Sequence, residues 1–567
     1  MKPFTIKVGG EAGYGIMSTG LTFSKIATRS GYSIFSYAEY PSIIRGGHNM
    51  VQLTVAEKAV AASYQTTDLL VALNQETIDF HFKELVAGSV LIYDGEKSVL
   101  PKLAKGVYAL AIPLNTISKD IAHTYLLRNT VALGASVAVL GGSIKILQDL
   151  LNEEFAHKSP EIKNNNLRVA QAGYDYVKEK YADTIKNILT VKKKASKQMV
   201  ITGDEAIALG AVAAGLQFAA IYPMTPISNI LHVLAALQEK YNFIYKQPED
   251  EISAINMAIG ASFAGARSMT ASAGGGFCLM SEGYGLAAMT ETPLVIIEGM
   301  RGGPATGLPT WTEQGDLRFV LHAHQGEFPR IVLAAGDAEE AFHLTMQAFN
   351  LADKYQTPVI LMVDKQVCES GFSVPAFEYN KYRIAQGKII IKKQANYKRY
   401  ALSADGVSVR SIPGVGNHIV ANSDEHNELG YSNEAAQNRL DQMNKRMQKL
   451  QTCARKDMPK PILYGPKNAD LTIVSWGSNK GAILEALDQF KNVNFLHITW
   501  ISPFPTKEVA DVLHKANRIL SIECNSTGQM TGLIKEQTGI GIKDKLLKYD
   551  GRPFYPEEII AKIKKII

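Results

Sequence analysis

The stretch Leu294-Val-Ile-Ile-Glu-Gly-Met-Arg-Gly-Gly-Pro-Ala-Thr-Gly-Leu-Pro-Thr310 decides how this chain is read. Its apolar residues run without alternation into Glu298, the pattern of a strand buried on both faces of a parallel sheet. Arg301 and a series of glycines and prolines then turn the chain at the carboxyl end of that strand, where open parallel sheets bind their ligands. Comparable runs at Phe218–Tyr222, Ser268–Ser272, Arg330–Ala334 and Pro358–Asp364 alternate with helical stretches. An α/β domain with a mainly parallel sheet is therefore expected.

Outward from this centre the same grammar repeats. Short β-branched runs (Thr5–Val8, Ser33–Tyr40, Met50–Val55, Leu69–Leu73, Ser89–Tyr93, Val107–Ile112) alternate with the helical segments Ile16–Ser30 and Thr130–Leu140. The lysine-rich segment from Lys186 to Lys197 reads as a solvated linker. Leu471-Thr-Ile-Val-Ser-Trp-Gly-Ser478 opens a third α/β unit. The expected division is an α/β domain over 1–190, a linker over 191–197, a second α/β domain over 198–371, an irregular connector over 372–460 with one helix from Asn433 to Cys453, and a third α/β domain over 461–567.

Composition narrows the function. The 567 residues are 46% apolar and 20% charged, which excludes a disordered or coiled-coil chain. Lys and Arg number 60 against 54 Asp and Glu, a surplus of +6 that is too thin for nucleic-acid binding. Between Glu378 and Lys460, however, 15 basic residues face 8 acidic ones, so the connector alone carries +7. A solvated basic loop is the default there, and an acidic protein or a phosphate-bearing ligand is the partner such a surface suits. Lys392, Lys393, Lys398 and Arg399 are its candidate contacts. Cys278, Cys368, Cys453 and Cys524 are too dispersed for a zinc or iron–sulfur motif and fit a reducing, cytoplasmic setting. No apolar run is long enough to span a membrane.

Six motifs carry candidate chemistry. Gly9-Gly10-Glu-Ala-Gly13-Tyr-Gly15 is a glycine-rich turn between strand and helix; it suits an anion or a tight turn, and it departs from the dinucleotide fingerprint at Ser18. Arg45-Gly46-Gly47-His48 sets an arginine beside open backbone amides, or forms a plain turn. Tyr222-Pro223-Met-Thr225-Pro-Ile-Ser228 places hydroxyls at a strand end, or caps a helix. Glu249-Asp250-Glu251 precedes a helix of Ala, Gly and Ser that calls for close neighbours. Its acids suit the helix dipole, while burial would give Glu251 a partner or a task. Ser272-Ala-Gly274-Gly275-Gly276-Phe277 is a further strand-to-helix turn. In the opening stretch, Arg301 with Thr306 and Thr310 suits recognition of a carboxylate or phosphate.

Taken in this order, the motifs resemble the alpha subunit of 2-oxoacid:ferredoxin oxidoreductases in the form that carries a gamma domain at its N-terminus. The likeness rests on Gly9–Gly15, Tyr40-Pro-Ser-Ile-Ile-Arg-Gly-Gly-His48, Tyr222-Pro-Met-Thr-Pro226, Glu249-Asp-Glu-Ile-Ser-Ala-Ile255, Arg301–Thr310 and Ile473-Val-Ser-Trp-Gly-Ser478. Met224 stands where the family usually has Ile. The resemblance implies a gamma-type α/β domain, a thiamine diphosphate pyrimidine-type domain and a transketolase-C-like domain. It implies oxidative decarboxylation of a 2-oxoacid, with 2-oxoglutarate favoured, to an acyl-CoA and CO2, with electrons passed to ferredoxin.

By the same likeness Glu251 is the catalytic carboxylate that holds the aminopyrimidine of thiamine diphosphate, with Tyr222 and Pro223 beside the cofactor. Thr225, Arg301 and Thr310 grip the 2-oxoacid, and Gly9, Gly10, Gly13, Gly15 and Arg45 are further cofactor contacts. Neither a Gly-Asp-Gly diphosphate motif nor clustered cysteines occur in the sequence. Mg2+ and a 4Fe-4S cluster are accordingly expected on a separate beta subunit, in an (alpha-beta)2 assembly. A ferredoxin-independent thiamine enzyme and a non-catalytic scaffold of a redox complex are the alternatives.

Overall fold

In the computed structural model the central strand runs from Leu294 to Met300 and is buried along its whole length. It pairs in parallel with Ser268–Ala273 on one side and Pro358–Asp364 on the other. The structure describes residues 2–43, 46–192 and 197–567; Arg45 and most of the expected linker fall outside them.

The chain folds into two units. The first comprises the N-terminal residues to Ile201 together with Ser370–Ala376 and Tyr555–Ile560. Its eight-stranded sheet runs in the order Tyr108–Ile112, Leu85–Asp94, Thr67–Ala72, Phe4–Glu11, His48–Ala56, Ser33–Glu39, Gly371–Val374, Met199–Thr202. The sheet is mixed, with Phe4–Glu11 parallel to Thr67–Ala72 and antiparallel to His48–Ala56. On it pack the helices Arg128–Val139 and Pro160–Lys180, which approach so closely that a Cβ on Gly173 would overlap the carbonyl of Val131. The short strand Gly371–Val374 has no signature in the sequence. It joins the sheet beside Ser33–Glu39, with Ile34 N–H donating to Ser373 Oγ at 2.7 Å and Phe372 edge-on to Phe35.

The second unit holds a seven-stranded sheet ordered Trp500–Ser502, Ile331–Ala334, Pro358–Asp364, Leu294–Met300, Ser268–Ala273, Phe218–Ala220, Ile244–Lys246. A five-stranded sheet, from Ile462–Tyr464 to Asp544–Leu547, completes it. The third α/β region is stitched to the larger sheet, because Trp500–Ser502 pairs antiparallel with Ile331–Ala334.

The connector differs from its reading as a solvated loop. It is irregular apart from Ile389–Ile390 paired with Arg410–Ser411 and the helix Ala436–Lys456. Yet Arg399, Arg410, Lys445, Arg446 and Lys449 are all buried. Each meets an acidic residue or carbonyl inside the protein. Arg446 forks onto Glu425 at 3.0 and 2.7 Å, Arg410 reaches Asp353 at 3.4 Å, and Lys445 and Lys449 each lie 2.6 Å from Glu291. Much of the surplus charge is therefore internal fastening. Lys398, paired at 2.6 Å with Glu428, stays at the surface with Lys392 and Lys393.

Candidate active site

Three adjacent strands, Phe218–Ala220, Ser268–Ala273 and Leu294–Met300, end side by side, and their following segments build one site. The three acids before the helix Glu251–Phe263 separate into three roles. Asp250 is the N-cap, accepting from Ser253 N–H at 2.7 Å, and Glu249 accepts from the Ser253 hydroxyl at 2.5 Å. With the cap filled by its neighbour, Glu251 turns inward. It is 3% exposed, and its Oε1 has no hydrogen-bond partner. A buried carboxylate oxygen without a partner is costly, so it marks a place where a donor belongs.

The wall opposite Glu251 is the start of the helix Gly274–Met289. Gly276 has to be glycine, since a Cβ would collide with Ser272 Oγ and stand 2.5 Å from Glu251 Oε1. Ser272 Oγ in turn lies 4.0 Å from Met224 Sδ, which brings the Tyr222–Ser228 loop to the same spot. That loop does not serve as a side-chain cap: the helix Ser228–Tyr241 begins without one. Arg301 donates from Nη1 to the Thr225 carbonyl at 2.9 Å and thereby ties the two loops together. Its other N–H groups make no hydrogen bond among the described residues. Thr310 is buried in the same segment, and Tyr222 and Pro223 are half-buried at the loop's entrance.

Two acidic residues here were not singled out from sequence. Glu298 is fully buried, and burial together with the Asp316 carboxylate pushes its carboxyl well above the usual carboxylate range. Burial also raises Asp316, against the opposing effects of Glu298 and Arg301. Asp316 sits against Gly274, where a Cβ would strike its carboxylate. The signal for Glu298 was present, an acid inside an apolar strand. For Asp316 there was none.

The N-terminal glycines lie in the first unit. Gly9 and Gly10 belong to the strand Phe4–Glu11, and a Cβ on Gly9 would press on Thr77 and, at 2.9 Å, on His48. Gly13 and Gly15 have left-handed backbones, φ +92° and +72°, and line a 250 Å3 cavity with Ser18, Thr19, Asn129 and Glu154. A 660 Å3 cavity in the second unit lies along the outer side of the helices Glu251–Phe263 and Gly274–Met289, lined by Ile252, Asn256, Leu279 and Glu282. Glu251 is not among its lining residues. No group of three or more His, Cys, Asp or Glu suited to a metal is found among the described residues, and no helix among them is long and apolar enough to cross a membrane.

Known proteins resemble this chain along its whole length. Three family models match in chain order: pyruvate ferredoxin/flavodoxin oxidoreductase over residues 5–176, the thiamine diphosphate-binding part of pyruvate flavodoxin/ferredoxin oxidoreductase over 209–449, and pyruvate:ferredoxin oxidoreductase core domain II over 469–559. A 2-oxoacid:ferredoxin oxidoreductase subunit alpha from Sulfolobus sp. is 34% identical, covering 99% of this chain and 96% of the relative. The 2-oxoglutarate oxidoreductase subunit KorA of Mycobacterium tuberculosis is 28% identical over 98% of this chain and 90% of its own. A solved 2-oxoglutarate:ferredoxin oxidoreductase from Magnetococcus marinus, with 2-oxoglutarate, coenzyme A and succinyl-CoA bound, superposes with a TM-score of 0.93 at 31% identity, covering 100% of this chain and 99% of that one. With a buried carboxylate open to a donor, a thiamine-binding match across it and likeness along the full length, the chain belongs to the alpha subunits of the 2-oxoacid:ferredoxin oxidoreductases.

Proposed function

We propose that this subunit, with a beta-type partner, converts 2-oxoglutarate and coenzyme A to succinyl-CoA, CO2, one proton and two electrons, which leave singly to ferredoxin. The observation that carries the reading is Glu251: a carboxylate inside the protein whose Oε1 lacks a donor, set among loops joined by Arg301. The N–H of a protonated aminopyrimidine ring is the donor that this oxygen fits, so the residues present suit thiamine diphosphate. The cofactor, when bound, supplies an electron sink for the pair left behind as CO2 departs.

This chain's own residues do the rest. Oε1 of Glu251 would accept from that ring N–H, and Tyr222 and Pro223 would border the ring. Arg301, steadied by the Thr225 carbonyl, offers its remaining N–H groups to the substrate carboxylate, and Thr225 and Thr310 supply hydroxyls. Since that carboxylate is the group lost as CO2, a tighter grip on it would favour the ground state over the transition state. One Arg301 N–H engaged by the backbone suits positioning rather than clamping.

The partner is proposed to bring the diphosphate and Mg2+ site and the 4Fe-4S cluster, as four free cysteines spread along this chain do not supply cluster ligands. Ile252, Met257 and Leu279 are 48%, 40% and 50% exposed on the two helices flanking Glu251 and form the apolar face for that partner to cover. The proposed enzyme is a cytoplasmic (alpha-beta)2 assembly. The deciding assay compares 2-oxoglutarate, pyruvate and branched-chain 2-oxoacids in the reconstituted complex, following CoA-dependent ferredoxin reduction. Preference for 2-oxoglutarate is expected; CoA-independent turnover, or none with any 2-oxoacid, overturns the reading.

A further inference from the structure

We infer that Gln314 is a positioning residue for 2-oxoacid recognition, and that through it the C-terminal α/β region holds the Arg301–Thr310 loop in register. The inference rests on the reading of Arg301 and Thr310 as substrate contacts. The loop between Arg301 and the helix Leu317–His322 is long and rich in glycine, a segment that would sample many conformations if left alone. Part of its order is internal: Leu308 N–H donates to the Gly302 carbonyl at 2.8 Å and Gly302 N–H to the Trp311 carbonyl at 3.2 Å.

The remainder comes from the third α/β region, and Gln314 makes most of it. This side chain is fully buried. Its Nε2 donates to the Trp476 carbonyl at 3.0 Å, at the end of the strand Leu471–Trp476. Its Oε1 accepts from Cys524 N–H at 2.9 Å, just past the strand Ile519–Glu523, and from Asn479 Nδ2 at 2.8 Å. Its backbone N–H donates to the Cys524 carbonyl at 2.7 Å, and its carbonyl accepts from Asn525 Nδ2 at 3.2 Å. One residue thus bridges two neighbouring strand ends.

The surroundings are shaped for it. Gly477, with φ +60°, leaves no room for a Cβ against Gln314 Nε2. Further along, Thr312 N–H donates to the Gly551 carbonyl at 3.2 Å and the Arg552 guanidinium covers the Trp311 ring at 3.7 Å. Such density of bonding around a residue that bears no reactive group serves geometry, and a small displacement of positioning groups is enough to weaken substrate recognition.

The test uses the assembled enzyme with Gln314→Met, which keeps volume and removes the three side-chain bonds, Arg552→Ala, which removes the outer cover, and Arg301→Ala as reference. Gln314→Met is expected to raise KM for the 2-oxoacid by about tenfold, and Arg552→Ala by about threefold, with KM for coenzyme A and bound thiamine diphosphate unchanged. A merely structural glutamine would lower the thermal midpoint and the active fraction and leave KM alone; that outcome, with Arg301→Ala still raising KM, overturns the inference. An unchanged KM in Arg301→Ala overturns the underlying site reading instead. Should Gln314→Met fail to fold, Arg552→Ala decides, and an unchanged KM there is a refutation.

Discussion

Two of the carboxylates buried in the second unit, Glu291 and Glu251, are treated in opposite ways. Glu291 is surrounded: Lys445 and Lys449 each lie 2.6 Å from it, and Arg399 donates to its backbone carbonyl at 2.7 Å. Burial alone would raise its carboxyl, but these cations hold it well below the usual range. One carboxylate does not offset the burial of its cations: burial lowers Lys445, and it brings Lys449 down to about 7. Glu251 is equally enclosed, and its Oε1 faces no donor. Glu291 is met by cations from within, and Glu251 is left open on one oxygen. Burial does not distinguish the two, and the partners do.

The sharpest way to break this contrast is to neutralise each acid. Glu251→Gln is expected to lower kcat of the assembled enzyme by about 10²–10⁴-fold, the range of an acid–base contribution, without loss of thermal stability, because no internal bond to Oε1 is lost. A destabilised but active Glu251→Gln would place Glu251 with Glu291. Glu291→Gln should do the reverse and cost about 3–5 kcal/mol by stranding buried cations, seen as a lower urea midpoint with an unchanged KM.

Next in size is Lys449. Its folded pKa lies below its unfolded value near 10.4, so the unfolded chain binds more protons between about pH 7 and 10 and stability rises with pH across that window. Lys449→Met removes this component. Thermal midpoints at pH 7 and 9.5 should therefore rise less in the variant than in the parent, and identical rises would contradict the assignment. The smallest effect is expected from Lys392→Glu with Lys393→Glu: at most about threefold on ferredoxin or CoA kinetics, vanishing with added salt. These two lysines replace Arg399 as the probe of the connector, since Arg399 is buried.

The parallel strands and the helix near 436–456 were legible because burial on both faces, or on one helical face, leaves a periodic trace in the residues themselves. The cluster of Glu251, Thr225 and Arg301 was legible through motif order, whereas its wiring was not: the bond from Arg301 goes to a backbone carbonyl, which any residue could provide. The connector misled because composition counts charges without their neighbours, and Glu291 and Asp353 lie far along the chain from the bases they hold. Asp316 and Gln314 gave no sign because each matters through residues distant in sequence.

The strand Gly371–Val374 bears on how such a polypeptide can be divided. It completes the first unit's sheet although it is encoded after most of the seven-stranded sheet. Cleavage at the lysine-rich linker would not release the first unit whole; the excised piece would lack an interior strand, baring the edge of Ser33–Glu39 and the ring of Phe35. Open edges of that kind invite pairing with other chains. A gene split at the linker would leave behind the strand Met199–Thr202, Ser370–Ala376 and Tyr555–Ile560, and its N-terminal product would need a substitute for the strand Gly371–Val374 before it could remain unassociated.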